Sequence, residues 1–160
     1  GAFSETIRGI LNLKEVGVRV EVRVVLDRNT VPRLVELARF LARNLVFVDH
    51  VALMGLEPVG FARANLDELW LDPLDYAPLL ASAVETLDRA GVPVSIYNHP
   101  LCVLAPRLWP FARKSISDWK NLYFDECAGC QVKDACGGFF ASSAVQRTRG
   151  VSPIRTSAGR

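Results

Sequence analysis

The sequence has no long hydrophobic run. Its longest apolar stretches are strand-length, well short of the ~20 residues that a membrane span needs. It also lacks the basic, apolar, small-residue succession of a signal peptide at its start. Without an export signal or a span, a reducing cytoplasm is the expected compartment. Histidine is scarce, with only His50 and His99 present. Neither sign of charge dominates: the net charge is +2, which gives no argument for nucleic acid or for a polybasic membrane contact. No Walker loop, Rossmann glycine fingerprint or Ser-His-Asp arrangement can be read from the residue order. Kinase, nicotinamide and hydrolase chemistry therefore find no support, and no internal repeat is visible.

What is present is a folded composition. The chain has 160 residues, half of them hydrophobic, enough for one domain with a real core. It opens on Gly1 within a helical pattern, with Ser4 as the candidate N-cap, so we expect a piece of something longer. Over residues 5–16, Ile7, Ile10, Leu11 and Leu13 share a face, and Gly17 stops the helix. Residues 18–26 alternate and are rich in valine, which predicts a strand. Thr30 and Pro32 then open a helix over 31–44, with Leu34, Val35, Ala38, Leu41 and Ala42 inward. A second strand is expected over 45–54, an irregular stretch with a helical turn over 61–75, a helix over 76–90 and a strand over 93–97.

Alternating helices and strands predict an α/β fold with a parallel sheet. Three parallel strands alone leave both edges open. The simplest architecture is thus the C-terminal part of a parallel (β/α) partial TIM barrel, over residues 1–99. The other is a small three-stranded sandwich with helices on one face. Beyond Asn98, prolines and aromatics replace the periodic pattern, and residues 100–160 read as an irregular, cysteine-rich, metal-binding extension.

Cysteine is the informative residue. Four occur, and three of them fall within ten residues in the segment ECAGCQVKDACGG. Cys127, Cys130 and Cys136 have the spacing C-x2-C-x5-C, and Cys102 is the remaining thiol. Four thiolates are what a tetrahedral zinc or a four-iron cluster requires. Gly129 eases the tight turn between the first two sulfurs. Zinc ribbons commonly use two C-x2-C pairs, whereas only one is present. His99, three residues before Cys102, competes with it as a fourth ligand. Trp109, Phe111, Trp119, Tyr123, Phe124, Phe139 and Phe140 are candidates to wall the site from water.

The segments ARKSISDWKN, ECAGC and ACGGFFA, with RVEVRVVL and MGLEPVGF upstream, resemble the radical S-adenosylmethionine maturase of the His-Xaa-Ser system. The likeness runs through nearly the whole chain. It implies that Cys127, Cys130 and Cys136 ligate an auxiliary 4Fe-4S cluster in an extension of the twitch or SPASM kind, with Cys102 as the candidate fourth ligand. It further implies that Arg23 pairs with the carboxylate of S-adenosyl-L-methionine and that Met54 and Gly55 border its adenine. The expected partners are a ribosomally synthesised peptide with His-Xaa-Ser repeats, modified by hydrogen abstraction, and a reductant protein. One departure is plain: the superfamily's C-x3-C-x2-C is absent, so this chain should not initiate radicals alone. The alternative is a zinc-stabilised α/β module that binds a protein partner without catalysis.

Overall fold

A computed structural model describes residues 1–114 and 122–155. Its regular elements run in the order α1 (Ala2–Glu15), β1 (Glu21–Leu26), α2 (Leu34–Asn44), β2 (His50–Gly55), α3 (Gly60–Ala64), α4 (Leu66–Leu69), α5 (Pro73–Arg89) and β3 (Val94–Tyr97). The three strands form one parallel sheet in the order β1-β2-β3. The α/β class expected from the alternation is therefore observed. Three strands do not close a barrel.

Register explains the strand bounds. β1 pairs with β2 from Glu21↔His50 to Leu26↔Gly55. Residues 18–20 lie before that register, so the strand expected from 18 starts only at Glu21. There the Asp49 carboxylate accepts the backbone N–H of Val20 at 2.7 Å and pairs with Lys14 at 2.8 Å. The second strand is likewise shorter than expected. Leu45 still closes α2 through its N–H to Leu41, and Val48 turns back onto Leu45, so pairing begins at His50.

Alternation then sorts the side chains. Val24, Leu26, Val51, Leu53, Val94 and Ile96 point to one face and are buried. They join Leu34, Ala38 and Leu41 of α2 and Leu80, Val84 and Leu87 of α5 in a single core. The same core takes in Leu101, Val103, Leu104, Leu108 and Cys136, so it continues without a break past residue 99. Val35 and Ala42, expected inward, are only half-buried. The opposite face carries Glu21, Arg23, His50, Met54, Ser95 and Tyr97.

Helix α1 departs from expectation. Its N-cap is Gly1, and Ser4 lies inside it. Ile7 and Ile10 rest half-buried on the core, while Leu11 and Leu13 remain exposed. Gly17 does stop the helix, at φ +75°, with the Val18 N–H reaching back to Leu13. Among the described residues, no helix is long and apolar enough to cross a membrane.

Candidate metal centre

The cysteines sit on three short turns beyond β3. Cys102 lies in a one-turn 3-10 helix, Leu101–Val103. Cys127 ends another, Asp125–Cys127, and Gly129 at φ +75° swings the chain so that Cys130 N–H meets Cys127 O at 3.2 Å. Cys136 follows a third, Lys133–Ala135. Gly138, at φ +64°, then brings its backbone against the Leu122 carbonyl, where a Cβ would stand 2.7 Å away. Local turn chemistry thus presents each thiol, and packing of the turns sets all four on the lining of one pocket.

All four cysteines line one small apolar pocket, closed by Pro100, Val132, Phe139 and Ile154. Each sulfur meets a backbone group. Leu101 N–H and Gly138 N–H donate to Cys136 Sγ at 3.3 and 3.4 Å, and Ile154 N–H donates to Cys130 Sγ at 3.4 Å. The Ser152 backbone bonds to Cys102, and the Phe124 backbone to Cys127. Burial pushes the Cys102 and Cys127 thiols above their ordinary range, with the neighbouring thiols adding to the shift. A bound cation is what would turn such thiols into thiolates.

The donor set fits a thiolate-held group: four sulfurs, one apolar pocket, backbone N–H groups aimed at sulfur. No disulfide joins them. Among the described residues, however, no three His, Cys, Asp or Glu side chains are gathered as a group that could hold a metal ion. Around one zinc, four sulfurs at about 2.3 Å from the ion stand nearly in mutual contact. A four-iron cluster, with one iron per thiolate, spreads its ligands more widely.

His99, the other candidate for fourth ligand, spends both ring nitrogens on hydrogen bonds of its own. It is buried, its Nδ1–H donates to Tyr97 O at 2.8 Å, and its Nε2 accepts from Tyr76 Oη at 2.8 Å. Burial lowers its pKa to about 4, so the ring is neutral. Burial, with the Asp72 charge, raises the Tyr76 phenol well above its usual range.

Of the expected wall, Phe139 is buried in the pocket lining, and Tyr123 lines it with its hydroxyl on Cys136 O at 2.8 Å. The Phe124 ring meets Phe139 at a tilt of 54°, centroids 4.8 Å apart. Trp109 instead donates its indole N–H to Leu101 O and Leu104 O, bracing the turn that holds Cys102. Trp119 lies outside the described residues.

The expected cofactor residues lie elsewhere, on the sheet. Arg23 stands on the sheet face opposite the core, its side chain 66 % exposed, with Nε on Glu21 Oε1 at 2.5 Å. Met54 is half-buried on that face, level with Val25 and Tyr97. Gly55 is buried at the end of β2, where a Cβ would stand 2.9 Å from Asn98 O and 3.1 Å from the His99 ring. Its carbonyl accepts Asn98 Nδ2 at 3.0 Å. Close approach of β2 to the end of β3 is reason enough for glycine there.

Two arrangements escaped the sequence reading. Glu21, His50 and Ser95 form a hydrogen-bonded line across the three strands, at 2.6 and 2.9 Å. No arrangement of this kind is legible in residue order, because the partners lie 29 and 45 positions apart. Ser95 is buried and is not an open nucleophile. Asp72, the buried N-cap of α5, also accepts Thr148 Oγ1 at 2.7 Å and Arg149 N–H at 2.9 Å, latching the tail to the fold.

No family model matches the chain, and no solved structure does. The chain is similar to a probable GTP 3',8-cyclase from Pyrobaculum aerophilum, at 29% identity over 136 residues, or 81% of this chain. It spans 39% of that relative's length. This likeness supports a relationship to the radical S-adenosylmethionine superfamily. It does not reach the His-Xaa-Ser maturase subtype.

Proposed function

We propose that this chain is the C-terminal part of a radical S-adenosylmethionine enzyme that modifies a ribosomally synthesised peptide. Residues 1–99 contribute strands of a partial barrel, and residues 100–160 hold an auxiliary 4Fe-4S cluster on Cys102, Cys127, Cys130 and Cys136. The observation that carries the reading is the shared pocket: four thiols, remote in part along the chain, each meeting a backbone group. The substrate reading, a peptide with His-Xaa-Ser repeats, rests on the resemblance of the sequence segments. When bound, the cluster supplies one-electron transfer, and S-adenosylmethionine is the radical source of such enzymes. The chain's own residues wall the cluster with Phe139, Pro100 and Ile154 and offer Arg23 to the cofactor's carboxylate. A reductant protein of the cytoplasm completes the system.

A second reading takes a nucleotide as substrate, favoured by the likeness to the probable GTP 3',8-cyclase. The two separate on binding: a His-Xaa-Ser repeat peptide, or GTP, titrated against the cluster-loaded protein.

The test of the metal reading is the iron, zinc and sulfide content of protein purified without oxygen, with its visible spectrum. About four iron and four sulfide per chain, lost together in Cys127→Ala, is the expected result. About one zinc without sulfide would overturn it and leave the zinc-stabilised binding module.

A further inference from the structure

On the sheet face opposite Val24, Leu53 and Ile96, four polar side chains connect in one line. Ser95 Oγ meets His50 Nε2 at 2.9 Å, His50 Nδ1 meets Glu21 Oε2 at 2.6 Å, and Glu21 Oε1 meets Arg23 Nε at 2.5 Å. The line starts at a buried serine in β3 and ends at an exposed guanidinium in β1. Each carboxylate oxygen of Glu21 thus has a different partner. The guanidinium is held by Nε alone, and among the described residues no acceptor meets its two terminal nitrogens. Those nitrogens form the edge that grips a carboxylate with two parallel hydrogen bonds.

We propose that Glu21, His50 and Ser95 are positioning residues that present the free edge of Arg23 to a small-molecule carboxylate. His50 is the central member. By occupying Glu21 Oε2, it keeps that carboxylate from rotating to take Nε and a terminal nitrogen together. Ser95 fixes the imidazole from the buried side, donating to Nε2 while Nδ1–H points to Glu21. Without His50, Glu21 chelates Arg23 and competes with the ligand for the same edge. The line stands on its own geometry. Naming the ligand as the methionine carboxylate of S-adenosylmethionine rests on the reading of Arg23 given above.

The test is a titration of the chain followed through the Arg23 side-chain nitrogen signals, with three probes: S-adenosyl-L-methionine, 5′-methylthioadenosine, which lacks the carboxylate, and acetate. S-adenosyl-L-methionine is expected to move the terminal nitrogens, and 5′-methylthioadenosine is not. In His50→Phe the affinity is expected to fall about fivefold, the worth of roughly one hydrogen bond. The double variant Glu21→Ala/His50→Phe should recover it, because the competitor is gone. A merely structural His50 would lower stability in both variants without that recovery. No response of Arg23 to any probe, or no recovery in the double variant, overturns the positioning role. A response to acetate and none to S-adenosyl-L-methionine keeps the carboxylate edge and overturns the cofactor reading.

Discussion

Tyr76 donates its phenol hydrogen to Nε2 of His99 across 2.8 Å, tying α5 to the segment just past β3 inside the core. The imidazole gives its one N–H, at Nδ1, to Tyr97 O. Both nitrogens of a buried imidazole are thereby spent on holding the sheet's carboxyl end, a few residues before the first cysteine.

That burial makes stability depend on pH. The His99 ring titrates near 6.5 when exposed and near 4 when folded. Between these values the unfolded chain binds the extra proton. The contribution of the neutral ring is complete above about pH 6.5, is lost as pH falls toward 4 and is level below. Its size is roughly 3 kcal/mol. Urea unfolding at several pH values should show this slope in the wild type and a flatter one in His99→Gln.

Gly55→Ala should destabilise the fold by about 1–3 kcal/mol, because the new Cβ meets backbone on one side and an imidazole already held by two hydrogen bonds on the other. The midpoint of chemical denaturation measures it. An unchanged midpoint would mean that the two strand ends have slack.

Asp72 carries three hydrogen bonds from two parts of the chain. Asp72→Ala removes a helix cap and leaves the buried Thr148 hydroxyl hydrogen without its acceptor, a cost of about 2–4 kcal/mol. Protease should then cut residues 146–155 in the variant faster than in the wild type, because the tail has lost its latch. Asp72→Asn keeps a cap acceptor and should fall between them.

Cys102 and His99 are separated by ligand chemistry. Once iron is bound, Cys102→Ala should change the electron paramagnetic resonance signal of the reduced cluster or lower iron below about four per chain. His99→Gln should leave iron content as it is, since both ring nitrogens already have partners. The opposite result in the two variants would assign the fourth position to histidine.

Much of the fold was legible because it is written in local periodicity. Valine alternation over 18–26 and the 3.6-residue pattern over 31–44 announce β1 and α2, and Gly17 stops α1 at positive φ. The starts of β1 and β2 were misplaced by three and five residues because pairing, not propensity, decides where a strand begins: β1 waits for His50 opposite Glu21. The cysteine spacing likewise named the candidate ligands before any coordinates.

By itself, then, the sequence determined the order of elements, the parallel α/β class and the set of four thiols. These depend on neighbours within a few positions, where side-chain period and turn chemistry act. Tertiary structure alone decided which remote groups meet. It placed Cys102 in one pocket with Cys127, Cys130 and Cys136, and turned both nitrogens of His99 away from them. It also aligned Ser95, His50 and Glu21 behind Arg23. Those contacts are set by strand register and by the packing of turns on a shared core, and neither leaves a mark in residue spacing.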